Sequence, residues 1–222
     1  MAIAEAAEPP PYIVSNPQPQ PQPTSRRHEE YYFEDGNLVV QVSGVLFRIW
    51  DGAFRRHSKG FPIAPVSLLE KVSDGSDDEH PLVLEGVESL DFERLLWIIY
   101  PPVIGQCKAT TTRDWIAILD LSTRWKFTDI RELAIRELSA FDMDPVEKIE
   151  LLHKYHIKRQ WAYSAYITLC SRPHALDVIE GRQLGIETTV NIAFAREKLD
   201  KWGRKKPDEV KKVVAEVFEV HE

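Results

Sequence analysis

Leu38-Val39-Val40-Gln41-Val42-Ser43-Gly44-Val45-Leu46-Phe47-Arg48-Ile49 is the stretch from which the fold is read. Its two five-residue runs are rich in β-branched and aromatic residues and are divided by Ser43-Gly44, so the segment predicts a β-hairpin. Outward from it, Asp51-Gly52 precedes a short helix expected over residues 53–59. A second short helix is expected within residues 61–72, where Val66, Leu68, Leu69 and Val72 follow two prolines. Asp74-Gly75-Ser76-Asp77-Asp78-Glu79 reads as a solvated acidic tip. It lacks the alternating ligands and closing bidentate glutamate of an EF-hand calcium loop. Pro81-Leu82-Val83-Leu84 is a third strand candidate.

Beyond this point the apolar period becomes helical. Phe92, Leu95, Leu96 and Ile99 fall at i, i+3, i+4 and i+7, a helix face that stops at Pro101-Pro102. Trp115, Ile118, Leu119 and Ser122 mark the next helix, with Asp114 acidic in its first turn. Ile130, Leu133, Ala134 and Leu138 give a third, with Asp129 expected as N-cap and Glu132 completing a capping box. Asp144 is the expected cap of a fourth, with Pro145 at its first position and Val146, Ile149 and Leu152 facing inward. Trp161, Ala165, Ile167 and Leu169 belong to a fifth that ends near Pro173. Two more are expected over 176–184 and 190–202, and an amphipathic last one over 210–220. The predicted class is α+β, a hairpin-led unit followed by helices.

Residues 1–27 differ in kind. Asn16-Pro17-Gln18-Pro19-Gln20-Pro21-Gln22-Pro23 alternates proline with polar residues, which reads as a disordered, extended leader or a PxxP-like docking segment. The whole chain has 222 residues, 43% of them hydrophobic, enough to bury a core. A net charge of -7 argues against a general nucleic-acid or anionic-membrane binder. No apolar run is long enough to span a bilayer, and residues 1–30 lack the pattern of a secretory signal. Two cysteines, Cys107 and Cys170, make neither a disulfide framework nor a four-cysteine zinc site. An intracellular location, cytoplasmic or nuclear, is expected.

Chemistry-bearing motifs are sparse. The chain contains no G-x-G-x-x-G, P-loop, G-x-S-x-G or H-E-x-x-H. His153 and His156 lie three apart near Glu147 and Glu150, but His153 falls on the flank of the helix stripe and a third ligand is not in sight. Cys107 sits in an expected loop without a neighbouring histidine, and Cys170 falls within an apolar helix pattern as a core thiol. The paired acids Asp77 with Asp78 and Asp142 with Asp144 lack an apolar surround that would raise a carboxylate pKa. Residues 196–212 carry eight basic side chains. Gly203-Arg204-Lys205-Lys206-Pro207 reads as a short nuclear-localisation pattern or as the polar face and linker of terminal helices. No catalytic, cofactor or metal residues are assigned, and the chain reads as non-enzymatic.

Phe47-x-Ile49-Trp50-x-x-x-Phe54-x-x-x-Ser58-x-x-Phe61 resembles the signature of BTB/POZ domains, with Trp50 where the family usually has histidine and Phe54 where it usually has leucine. Leu84-x-x-Val87-x-x-x-x-Phe92-x-x-Leu95-Leu96-x-x-Ile99-Tyr100 is similar to that family's third strand and the helix after it. Trp115-x-x-x-Leu119-x-Leu121 through Trp125-x-Phe127-x-x-Ile130 is similar to its next helical pair. The resemblance covers residues 31–140. Residues 141–202 look like the helical extension of fungal BTB proteins, and 203–222 form a basic linker with a terminal helix.

The resemblance implies a BTB/POZ-like fold, a short hairpin and third strand packed with a helical cluster, followed by an all-α extension. It implies a protein-interaction module that oligomerises or recruits a protein partner. Two alternatives stay open: a substrate adaptor of a cullin-based ubiquitin ligase, and a nuclear, transcription-linked regulator. Dimeric family members often exchange an N-terminal element, a position held here by the Pro-Gln repeat. Without a kelch, zinc-finger or MATH module, an adaptor would read its target with the helical extension or the leader. Trp50, Phe54, Phe61, Trp97 and Trp115 are the candidate interaction residues, as aromatic anchors.

Overall fold

The computed structural model describes residues 25–63, 74–201 and 206–220. The bulk of the leader, most of the helix expected within 61–72, and residues 203–205 of the basic run lie outside the described residues.

The hairpin forms where it was expected. β2 (Leu38–Val42) pairs antiparallel with β3 (Val45–Ile49), Leu38 opposite Ile49 and Val42 opposite Val45. Ser43 and Gly44 hold φ of 47° and 77°, the positive pair of a type I′ turn whose twist matches that of the strands. The Ser43 hydroxyl donates to the Val87 carbonyl at 2.9 Å, anchoring the turn to the segment that enters the helical layer.

Two further strands make a mixed four-stranded sheet. With β1 (Arg26–Tyr32) and β4 (Leu82–Val83), the strand order is β1-β3-β2-β4. β4 runs parallel to β2, within the stretch expected to be a strand. β1, parallel to β3, was not expected: Arg26 and Arg27, read as the end of the leader, already pair with Val45 and Leu46. Its charged sequence hid it. Tyr31 is its one buried residue, and charges along an edge strand block pairing with other chains. The acidic tip is solvated as expected, with Asp74, Asp77 and Glu79 exposed, and Asp78 ties it to β1. Asp78 accepts from Arg27 at 2.7 Å and from the Tyr32 hydroxyl at 2.6 Å. Gly75, at φ 95°, accepts from the Val39 amide, and a Cβ there would stand 2.5 Å from a Leu38 methyl, so the approach requires glycine.

α1 (Asp51–His57) starts two residues earlier than expected and buries Phe54. α2 (Ser89–Ile99) and α3 (Thr112–Arg124) follow, α3 opened by a capping box in which Thr111 and Asp114 each bond the other's amide. α4 (Thr128–Leu138) corrects the expected cap. Phe127 holds the N-cap position without a side-chain bond and Asp129 lies inside the first turn, because Lys126 reverses the chain at φ 57°. α5 (Pro145–Lys154) is capped by Asp144, which accepts from the Val146 and Glu147 amides, as the sequence implies. Trp161 falls in a 3₁₀ turn, Arg159–Ala162, ahead of α6 (Tyr163–Ser171). α7 (Val178–Leu184), α8 (Ile186–Lys201) and α9 (Pro207–Val217) complete the described helices.

Buried side chains form one cluster from Tyr31 to Val220. Against the sheet its centre is aromatic: Phe47 meets Phe92 edge-on at 5.0 Å, and Phe54 meets Phe127 at 5.6 Å. Among the later helices Tyr166 stacks on Phe218 at 4.1 Å. Polar ties cross between the two helical groups. The Tyr155 hydroxyl donates to Asp120 at 2.7 Å, and the Trp161 indole donates to the Ile135 carbonyl at 3.0 Å. No helix among the described residues is long and apolar enough to cross a membrane.

Candidate interaction surfaces

The five aromatic candidates separate by burial. Phe54 is fully buried and Trp115 is 4% exposed, so both are core residues rather than surface anchors. Phe54 is enclosed by Phe61, Phe127 and Tyr100 because α1 lays it directly over the sheet's helical layer. Phe61 is partly buried against Phe54 and the Trp125 ring, 4.9 Å away. Trp50 is 38% exposed, stacked on Phe33 at 4.1 Å with Tyr100 edge-on at 5.6 Å. The Tyr100 hydroxyl donates to the Trp50 carbonyl, stapling the end of α2 to the start of α1. Burial and the Asp51 charge push the Tyr100 pKa up, so it stays a donor. Trp97 is partly buried on α2, its indole donating to Glu93 at 3.2 Å and the Lys108 ammonium 6.0 Å over its ring.

Two cavities, of about 290 and 530 Å³, share Ile98 and Leu133 and so line one groove between α2 and α4. Ala53, His57 and Ile130 line one end, and Trp97, Ala140 and Phe141 the other. The α2 wall is fixed from beneath, where Arg94 donates to Asp114 of α3 at 2.7 Å. Burial opposes the Asp114 charge, but hydrogen bonds from Arg94 and Thr111 outweigh it and hold the carboxyl below its usual range.

A second surface lies on α8. Ile192, Ala195 and Leu199 face inward at one helical spacing. Ile186, Val190 and Phe194, at steps of four, are 84%, 57% and 51% exposed. Beside this stripe a groove of about 600 Å³ runs between Thr189 and Ala193 on one side and Ala175 and Leu176 on the other. The sequence predicts this helix over 190–202, whereas it begins at Ile186, so the first residue of the stripe falls outside the expected helix. The signal was present as two interleaved apolar spacings where one packed face needs only one.

The chemistry-bearing residues stay dispersed. His153 is on α5 with its pKa lowered by burial and by Arg159, and its Nε2 lies 3.4 Å from the Thr188 hydroxyl. His156 lies past the end of α5 at φ 50°, so the two histidines do not share a helix face. No group of three or more His, Cys, Asp or Glu side chains gathers as metal ligands among the described residues. Cys107 is exposed in the loop after α2. Cys170 is fully buried, and burial pushes its thiol up to about 11, the core thiol its sequence context implies.

No protein-family model matches the chain, and no curated protein matches it.

Proposed function

We propose that this chain is a non-enzymatic protein-interaction module of the BTB/POZ type, and that it works by self-association. The observation carrying this reading is α8, whose inner face is packed while Ile186, Val190 and Phe194 project outward. Three large apolar side chains in a row on a helix already seated in a core are costly to leave in water. The protruding stripe and the groove at Thr189 and Ala193 sit side by side on one helix. Under a two-fold axis each copy's stripe meets the other's groove, the self-complementarity that an isologous dimer requires. The BTB/POZ reading is supported by the order of elements: hairpin, short helix, third strand beside the hairpin, then helices.

Light scattering on the full chain across a concentration series tests the proposal. The expected mass is twice 25.6 kDa, falling to the monomer in Val190→Glu with an unchanged helical spectrum. A wild-type chain that stays monomeric at about 100 μM, a concentration at which even weak interfaces of standard size associate, would sink it.

A second reading, an adaptor for a cullin-based ubiquitin ligase, is favoured by the apolar groove between α2 and α4, a shape suited to a partner helix. Calorimetric titration with the N-terminal region of a BTB-binding cullin separates the two, because Leu133→Glu in the groove abolishes this binding and leaves self-association intact. The nuclear reading rests on Arg204-Lys205-Lys206, most of it beyond the described residues.

A further inference from the structure

A cavity of about 350 Å³ opens where the first turn of α8 meets α5, α6 and the end of α9. His153, Arg159, Tyr166, Phe218 and residues 186–188 line it. Two independent features point to what it holds.

The first is Tyr166. The residue is 1% exposed, yet its hydroxyl has no hydrogen-bond partner among the described residues. Among the described residues, the side-chain atoms sealed from solvent without a partner are the Tyr31 hydroxyl and Thr123 Oγ1. The Tyr166 hydroxyl is not among them, and Tyr166 lines the cavity. A buried phenol pays for an unmade hydrogen bond unless an acceptor is supplied from outside.

The second is the start of α8. The first amide there to find an acceptor is that of Thr189, bonded to the Gly185 carbonyl at 3.1 Å. The amides of Ile186, Glu187 and Thr188 have none among the described residues, and Gly185 offers no side chain as a cap. These three donors sit at the positive end of a 16-residue helix. Arg159 stands at the same cavity, and among the described residues its hydrogen bonds, to the Phe218 carbonyl and to Glu219, use one nitrogen, Nη1. Glu187 also lines the cavity and opposes an anion there.

We propose that this cavity binds a small phosphate monoester, its phosphate on the α8 N-terminus, Arg159 and Tyr166, and its organic part against Leu184 and Phe218. Three amides, a hydroxyl and a guanidinium exceed what the two oxygens of a carboxylate use well and suit the three of a phosphate. The volume is that of a small-molecule site. Nothing in this assignment depends on self-association.

The test is a ¹⁵N-resolved NMR titration of the full chain with inorganic phosphate, phenyl phosphate and acetate at constant ionic strength. Saturable shifts of the Ile186, Glu187 and Thr188 amides are expected, tighter for phenyl phosphate than for inorganic phosphate and absent with acetate. Tyr166→Phe should weaken phenyl phosphate binding about ten-fold without lowering the melting temperature of the free chain, and Glu187→Gln should strengthen it. Acetate shifts as strong as those of phosphate would overturn the phosphate assignment. Unsaturated shifts spread over surface lysines, or equal affinity in Tyr166→Phe, would overturn the site.

Discussion

Arg94 and Asp114 meet at 2.7 Å with their side chains 9% and 10% exposed, joining the middle of α2 to the first turn of α3. The same carboxylate closes the α3 capping box with Thr111, so one acid satisfies a buried guanidinium and a helix end. Asp114→Ala leaves Arg94 buried with only Asp91, at 2.8 Å, as a charged partner and strips the cap. A loss of about 3–5 kcal/mol in urea unfolding is expected. Arg94→Met with Asp114→Leu should recover much of it, because the desolvation cost of the pair disappears with the pair.

Phe54 and Trp50 are four residues apart and opposite in role. Phe54→Ala opens a cavity among Phe61, Phe92, Phe127 and Tyr100, and should cost about 3–5 kcal/mol. Trp50→Ala loses a stack on Phe33 while the backbone carbonyl still accepts from Tyr100, and should cost on the order of 1 kcal/mol. Thermal melts of the two variants rank them, and the reverse order would mean that Trp50, not Phe54, is the core residue.

The same pair shows what the sequence could and could not tell. The two β-rich runs divided by Ser43-Gly44 and the Asp144-Pro145 cap are local chemistry, and both were legible. β1 was not, because an edge strand needs only Tyr31 inward, and Arg26-Arg27-His28-Glu29-Glu30 carries no apolar period. The cap at Asp129 failed for a local reason of another kind, a positive φ at Lys126, a backbone conformation that lysine does not announce. For the site, spacing named aromatic residues but not their burial, which is set by neighbours distant in sequence. Phe54 is enclosed by residues 61, 92, 100 and 127. The Tyr166 cavity draws on α5, α6, α8 and the end of α9, a convergence no single window contains.

The cysteines offer a quick check on the packing. Cys107 is exposed, whereas Cys170 is fully buried with its thiol raised to about 11 by desolvation. Iodoacetamide at pH 8 should label one thiol per native chain, mapped by mass spectrometry to Cys107, and two in denaturant. Native labelling of Cys170 at a comparable rate would mean that α6 does not pack as described.

The Arg172–Glu180 pair sets an acid limit on the helical extension. Glu180 accepts from Arg172 at 2.5 and 2.7 Å and from the Asp177 amide at 2.8 Å, joining the segment before α7 to its first turn. The Arg172 hydrogen bond, then that of the amide, pulls the Glu180 carboxyl from 4.5 to about 2. Because the folded pKa lies below the unfolded one, the pair's stabilisation is complete above about pH 4.5 and is lost as pH falls toward 2. Glu180→Gln removes this dependence. The melting temperature of the wild-type chain should therefore exceed that of the variant by a constant margin at pH 6 to 7, with the gap closing as pH falls through that window. Added salt should narrow the gap at neutral pH, since the pair lies near the surface. A gap that persists unchanged at pH 2 would show that Glu180 acts by packing rather than by charge.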